Sequence, residues 1–223
     1  MTGKTRPTVN SKLRHHILEV PDEIRKASGI VINGRRIKSL IFTTDIAIIR
    51  NCDADAVLAI YPFTPQQTIS DAIIRNASIP VFCGVGGGTT NGVRSTLLAT
   101  DAEAQGAMAV VVNAPMGNED VARIARTIDI PVVVTVLNEH TDVEARLAAG
   151  ASILNISAAE RTPEVVAAIR AKYPDVPIIA TGGPTAEGIL KTVAAGANAI
   201  SYTPPSTKQL FSAMMSDYRS REL

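Results

Sequence analysis

Tryptophan is absent from this 223-residue chain, and aromatic residues of all kinds make up only 4% of it. Proteins that hold nucleic acid set stacking faces beside basic patches. With a net charge of +1 and a pI near 7.8, this chain has neither in quantity, so nucleic acid and anionic membrane surfaces are not expected partners. No run of about eighteen apolar residues occurs, which removes a membrane-spanning helix. The opening MTGKTRPTVNSK also lacks the apolar core of a secretory signal. Cysteine is scarce: Cys52 and Cys83 are too few for a disulfide framework, so a reducing cytoplasm is the expected compartment. No H-x-H, H-E-x-x-H or carboxylate cluster supplies a metal set, so neither metal nor cofactor is called for.

What the chain does have is a core's worth of apolar residues (46%), a modest charged fraction (19%), and a beat. From about residue 36 onward a short apolar run closes in small or polar residues, a helical stretch follows, and the pattern restarts, eight times in all. Runs such as Ala109–Asn113, Pro131–Thr135 and Pro177–Thr181 are continuously apolar and β-branched, as in parallel strands buried on both faces. Eight strand–helix units in series predict an α/β chain folded as a single (β/α)8 TIM barrel over residues 36–223. The remaining predicted strands are Ile37–Thr43, Ala56–Tyr61, Pro80–Gly84, Ser152–Ser157 and Ala199–Thr203, with the fifth running on towards Asn138. Gly106-Ala107, Gly150-Ala151 and Gly196-Ala197 read as left-handed helix stops before a strand. Thr64 to Gln67, Thr141 to Glu144, Thr162 to Glu164 and Ser206 to Gln209 read as helix starts.

Residues 1–35 lie outside the beat. Leu13, Ile17, Val20 and Ile24 have helical spacing, interrupted at Pro21, which predicts a helical extension that caps the barrel floor or meets another subunit. A homo-oligomer is the expected assembly, by analogy with barrels of this size.

Function in such a barrel belongs to the loops that follow the strands. A polar residue inside a buried apolar run is costly unless hydrogen-bonded, and Asn113, Thr135, Asn155 and Thr181 all interrupt such runs near their C-terminal ends. Asn155 and Ser157 are two apart and share a face, the lumen face, because Leu154 and Ile156 would pack on helices. Together these residues describe either a pocket or an internal hydrogen-bonded layer. Gly182-Gly183 before a helix offers amides to an anion, with Thr203 and Ser206 adding hydroxyls, although Pro204 and Pro205 bring no amide hydrogen. The loop GVGGGTTNG at residues 84–92 lacks a P-loop lysine; its glycines, Gly86 among them, bring backbone close to a ligand or make a flexible loop. Asp45, Glu139 and His140 fall where acid–base groups belong, and equally where helix caps belong. Tyr61 reaches the mouth or packs as an ordinary aromatic. Cys83 on an apolar strand reads as core more readily than as a nucleophile, and His15 and His16 read as surface residues. No lysine stands at a strand's C-terminal end, where a Schiff-base amine would be needed.

From about Ile79 to Ala199 the order of landmarks resembles the 2-keto-3-deoxy-6-phosphogluconate aldolase group of phosphate-binding barrels. Gly84-Val85-Gly86 resembles that family's G-x-G after strand three, ILNISAAE (153–160) its strand-six segment, and ATGGPTAEGILKTVAAGANAI (180–200) its phosphate loop and following helix. The last segment is also similar to sugar-phosphate epimerases and thiamine-phosphate synthases. The resemblance implies the barrel fold and a phosphate contact at Gly182 and Gly183. It departs at the catalytic pair: Asn155 stands where the Schiff-base lysine would be, and Ala59 where the strand-two glutamate would be.

Residues and resemblance together lead to an expected enzyme acting on a small phosphorylated metabolite, as an isomerase, epimerase or lyase without a Schiff base. In that expectation Asp45, Glu139, His140 and Asn155 are the catalytic candidates. Gly182, Gly183, Thr203 and Ser206 hold phosphate, and Tyr61, Gly86, Asn113, Thr135, Ser157 and Thr181 hold substrate. The alternatives are a metabolite sensor or scaffold that keeps the pocket without the chemistry, and a hydrolase using His140 or Cys83.

Overall fold

The computed structural model describes Pro7, Val9 and residues 17–221. Eight parallel strands, each followed by a helix, close into one barrel: β3 (Ser39–Phe42), β4 (Ala56–Ala59), β5 (Val81–Gly86), β6 (Ala109–Val112), β7 (Val132–Val136), β8 (Ile153–Ile156), β9 (Ile178–Thr181) and β10 (Ala199–Tyr202). A hairpin of β1 (Ile30–Ile32) and β2 (Arg35–Ile37) precedes them. The helices are α1 (Ile46–Arg50), α2 (Gln67–Asn76), α3 (Gly92–Ala104), α4 (Asn118–Thr127), α5 (Val143–Ala148), α6 (Thr162–Lys172), α7 (Ala186–Ala194) and α8 (Thr207–Arg221). No helix among the described residues is long and apolar enough to cross a membrane.

The period-two pattern of the strands produces two cores. Leu40, Leu58, Phe82, Val111, Val133, Ile153 and Ile179 fill the lumen. Their neighbours in sequence, among them Ile41, Val57, Val110, Val134, Leu154, Ile178 and Ile200, pack outward against the helices. Strands buried on both faces have no room for charge, which is why they read as unbroken β-branched runs. The three Gly-Ala turns do stop their helices in the left-handed region, at φ of +96°, +101° and +107° for Gly106, Gly150 and Gly196.

The segment before the barrel differs from its expectation. The stretch 12–16, with Leu13, His15 and His16, lies outside the described residues. Between Ile17 and the barrel the helical content is a single 3₁₀ turn, Asp22–Lys26, and the β1–β2 hairpin takes the place of a second helical turn. Asn33 and Gly34 turn it at φ of +48° and +78°, the left-handed pair that suits a tight two-residue hairpin. Ile30, Ile32 and Ile37 are buried with the lumen residues, so the hairpin stoppers the barrel floor, and the expected 35/36 boundary falls inside it. Leu18, Val20 and Arg25 are tied to the loop before β4: Leu18 bridges Cys52, and Asp53 accepts from the Val20 amide at 2.7 Å and pairs with Arg25. Cys52 therefore sits in this bridge.

The floor is knit by one guanidinium. Arg170, near the end of α6, donates to the carbonyls of Pro174 (2.6 Å), Val176 (2.8 Å) and Gly196 (2.9 Å) and to Asn198 Oδ1 (2.7 Å). Asn198 in turn accepts from the Ile178 amide and donates to Ser28 at the hairpin's base. One side chain thus satisfies carbonyls from two connections at once. Arg170→Met should keep the stem's packing but strand those carbonyls, and a bond to a charged group contributes about 1.5–3 kcal/mol. A loss of at least about 2 kcal/mol by denaturant titration is the expected result, with the barrel's circular dichroism spectrum unchanged.

Candidate functional site

Strand parity delivers polar side chains to one end of the lumen. Leu154 and Ile156 belong to the helix-facing core, so Asn155 and Ser157 point the other way. Thr135 is the register partner of Asn155, and Thr181 that of Ser201. Asn113, Thr135, Asn155, Ser157, Thr181, Ser201 and Thr203 line a single cavity of about 200 Å³, closed on its far side by Phe42, Leu58 and Ile60. An adjoining cavity of about 210 Å³ shares Ile60 and Asn113 and is lined by Tyr61, Gly84, Gly86, Gly88 and Thr90 among others. Six of the residues picked out in the sequence thus meet in the first cavity. Tyr61 and Gly86 join Asn113 in the second.

Ser201 is a site residue that the sequence pattern did not single out. It is the lone polar residue within AIS and lies two before Thr203, so the rule that found Asn155 and Ser157 would have found it. Phe42 continues the lumen parity of Leu40 and would have been reached the same way.

The hydrogen bonds of the first cavity are incomplete. Asn155, 6% exposed, donates from Nδ2 to Thr135 Oγ1 at 3.3 Å, while its Oδ1 is shielded from solvent and has no partner among the described residues. A buried amide oxygen left so is destabilising. The torsion that aims it is soft, so a small turn presents it to the cavity.

Tyr61 Oη accepts the Gln66 amide at 2.9 Å at the start of α2. This fixes the ring at the mouth and leaves the phenol hydrogen to donate elsewhere. The helix expected to start at Thr64 begins at Gln67 instead, and the Gln66 side chain at its N-cap makes no capping bond. The glycine loop is a packed turn more than a flexible one. A Cβ on Gly87 (φ +100°) would stand 2.5 Å from Asn113 N and 2.6 Å from its carbonyl oxygen, and one on Gly86 (φ +142°) would stand 2.3 Å from Ser95 Oγ. These glycines let the loop lie against Asn113 and hold it at the cavity wall.

The acid–base candidates do not reach the mouth. Asp45 caps α1, accepting from Ala47 N at 2.8 Å and Ile48 N at 3.3 Å through Oδ1, while Oδ2 accepts the Thr207 hydroxyl at the start of α8. Its capping role ties α1 to α8, and it lines neither mouth cavity. Glu139 pairs with Arg161, and with His140 it lines a lateral groove between α5 and α6, apart from both mouth cavities. Asp142, one residue beyond the expected Thr141, caps α5 by accepting from Ala145 N at 3.0 Å. Cys83 packs in the helix-facing core, and burial pushes its thiol up to about 12, which removes it as a nucleophile.

The anion loop is also thinner than expected. The Gly182 amide donates to the Ser201 carbonyl at 3.3 Å, and a Cβ there would stand 2.6 Å from Ile200. Gly182 is therefore a packing residue. The Ser206 hydroxyl donates to Gln209 Oε1 at 2.8 Å and accepts the Gln209 amide at 3.3 Å, which completes the predicted capping box and occupies the group. Three features stay open: Gly183 (φ +75°), where an added Cβ would meet nothing within 4 Å, the first turn of α7 behind its Thr185 cap, and Thr203.

Among the described residues, no Asp, Glu, His, Lys, Arg or Cys lines either mouth cavity. The defining feature is thus a barrel whose lumen opens at the strands' C-terminal ends into a pocket of hydroxyls and amides. The chain matches no family model and no curated protein. Solved structures similar to it include phosphonopyruvate hydrolase complexed with oxalate and Mg++ (17% identity, 90% of this chain and 87% of that one, TM-score 0.63). Phosphoenolpyruvate phosphomutase from Streptomyces platensis subsp. rosaceus (13%, 82% and 81%, 0.62) and dihydrodipicolinate synthase from Agrobacterium tumefaciens str. C58 (18%, 82% and 72%, 0.56) are also similar. These likenesses show the fold. The resemblance to the keto-deoxy-phosphogluconate aldolase group remains one of sequence landmarks. The magnesium ion of the hydrolase complex does not fit the residues here. Such an ion takes carboxylates and phosphate oxygens, the mouth offers only neutral oxygens and amides, and no group of three His, Cys, Asp or Glu among the described residues is placed to hold a metal.

These placements can be tested at Asp45 and at Cys83. The Thr207 hydroxyl, with the Ala47 and Ile48 amides behind it, holds the Asp45 carboxyl below its usual value. A folded-state value below the unfolded one adds stability above the ordinary carboxylate range, and that stability is lost as pH falls through the folded value. Asp45→Ala should therefore cost about 1 kcal/mol near neutral pH and progressively less in acid, seen by urea titration at pH 7 and at pH 2.5. Cys83 should resist iodoacetamide at pH 8 in the folded protein and react fully in denaturant, followed by mass spectrometry. Rapid alkylation of the folded chain would contradict its burial.

Proposed function

We propose that the chain is an enzyme of the isomerase or lyase kind acting on a small phosphorylated metabolite bound in the barrel mouth. The observation that carries this reading is the cavity beyond β6–β10, where seven hydroxyl or amide side chains converge and the Asn155 oxygen lacks a partner among the described residues. Structural filling would satisfy such groups mutually; a ligand pocket leaves them for a guest. In this reading the phosphate lies over Gly183 and the open amides of α7's first turn, where the helix dipole favours an anion, with Thr203 at the end of the neighbouring strand. Asn113, Thr135, Asn155, Ser157, Thr181 and Ser201 orient the rest. Two of the similar structures carry names that place them among enzymes of phosphorus-bearing three-carbon acids, which supports the ligand class.

Proton movement falls to Tyr61, the sole ionisable side chain along either cavity among the described residues. A fixed phenol that keeps its own hydrogen is placed to act as an acid. The same scarcity of ionisable groups supports a second reading, a sensor that binds the metabolite without converting it. Turnover that is lost in Tyr61→Phe while binding persists decides for the enzyme.

Gly183→Asp tests the phosphate site. Aspartate tolerates the left-handed backbone better than most residues, so the fold should survive, while the carboxylate repels an anion. In the wild type, a phosphorylated ligand at about a hundred times its dissociation constant stabilises by about 2.7 kcal/mol, a clear thermal shift. In Gly183→Asp that shift should vanish; an undiminished shift removes the phosphate from this loop.

A further inference from the structure

The mouth cavity has two unlike walls. Phe42, Leu58 and Ile60 from the β3–β4 side present carbon. The β6–β10 side presents amides and hydroxyls, with Asn155 and Ser201 each only 6% exposed. Among the described residues no cation and no carboxylate lies along either wall, and the donor set is one that a divalent metal does not favour. We infer that, within the proposed phosphate-binding site, the mouth selects an uncharged, hydroxyl-bearing carbon skeleton, a polyol, aldose or ketose, bound without a metal ion, and rejects a carboxylate.

The physical grounds are independent of the phosphate loop. A carboxylate taken into this cavity leaves water with no countercharge to meet it, and an unpaired buried charge is far more costly than an unpaired hydroxyl. The Asn155 amide sharpens the choice. One of its Nδ2 hydrogens is engaged with Thr135, and its Oδ1 has no partner among the described residues, so what this oxygen lacks is a donor from the guest. A carboxylate donates nothing. A hydroxyl donates and accepts, and meets the amide in either orientation. The carbon wall supplies the other half of the recognition, since a skeleton whose hydroxyls line one side shows C–H groups on the other, and these pack on Phe42 and Leu58 with loss of apolar surface to water. The oxalate and Mg++ of the similar hydrolase structure are a ligand pair of the opposite character, and the two mouths are distinguished by charge while sharing a fold.

This inference rests on the mouth being the ligand site, and the experiment separates its failure from that of the phosphate reading. The probes are ribulose 5-phosphate, free ribulose, phosphoenolpyruvate and inorganic phosphate, each titrated calorimetrically with and without 5 mM Mg²⁺. The expected result is that ribulose 5-phosphate binds at least tenfold more tightly than phosphoenolpyruvate and that Mg²⁺ leaves this order unchanged. Asn155→Leu and Ser201→Ala should each weaken ribulose 5-phosphate at least fivefold and leave inorganic phosphate as in the wild type. Ser201→Ala, which removes a single oxygen, guards against misfolding of the Asn155 variant. Phosphoenolpyruvate binding as tightly as ribulose 5-phosphate, a requirement for Mg²⁺, or wild-type affinity in both variants overturns the inference while leaving the phosphate site standing. Binding of free ribulose without any binding of inorganic phosphate does the reverse. Failure of every probe overturns both.

Discussion

Closing a sheet on itself removes its edges, so each residue of a barrel strand must face one of two interiors. The lumen is the narrower of these and cannot be left empty. Along the lower strands it is filled with Leu40, Leu58, Phe82, Val111, Val133, Ile153 and Ile179. Only where the strands end does the packing give way to a cavity. Position along a strand and parity within it therefore decide whether a side chain is filler, helix contact or pocket wall. Everything that makes this molecule a candidate binder follows from that geometry, including the segregation of carbon to β3–β4 and of hydroxyls to β6–β10.

The same constraint explains what could be read from the sequence and what could not. The apolar runs and their spacing carry the barrel, because burial on both faces imposes a composition that nothing else in a small protein requires. Asn155 and Thr135 stood out because a polar residue inside such a run is costly, and period two placed them on the lumen side. Asp45, Glu139 and His140 illustrate the limit. Each follows a strand end, but a residue there can turn inward to the mouth or outward to cap the next helix, and both uses favour the same side chains. Asp45 was settled by Thr207, which lies 162 residues away in sequence, and Glu139 by Arg161 on the following connection. The hairpin at the floor is illegible for a related reason: Ile30, Ile32 and Ile37 acquire their meaning from the open barrel end they meet, and local spacing does not contain that end.

Glycine has two unrelated roles around the mouth, though the sequence shows one rich cluster and one pair. Gly86 and Gly87 are required because backbone passes too close to Ser95, Thr90 and Asn113 for any side chain, so their function is to position a wall. Gly182 is similarly confined by Ile200 and Ile189, whereas Gly183 faces open space. The adjacent glycines of this pair thus divide between packing and access. A mouth whose walls, among the described residues, hold no ionisable group but the Tyr61 phenol is also a mouth whose affinity should depend little on ionic strength beyond the phosphate itself.

The hairpin under the barrel has a further consequence. Ile30, Ile32 and Ile37 extend the packed lumen down to the floor, so nothing passes through the barrel and the cavity is a blind vestibule open at the strand ends. Whatever enters must leave against the direction of its arrival. Traffic in such a vestibule is single-file: a second molecule waiting at the rim obstructs the departure of the first. Crowding by its own ligand would then slow exchange in this protein, a kinetic property inherited from the packed lumen beneath the mouth.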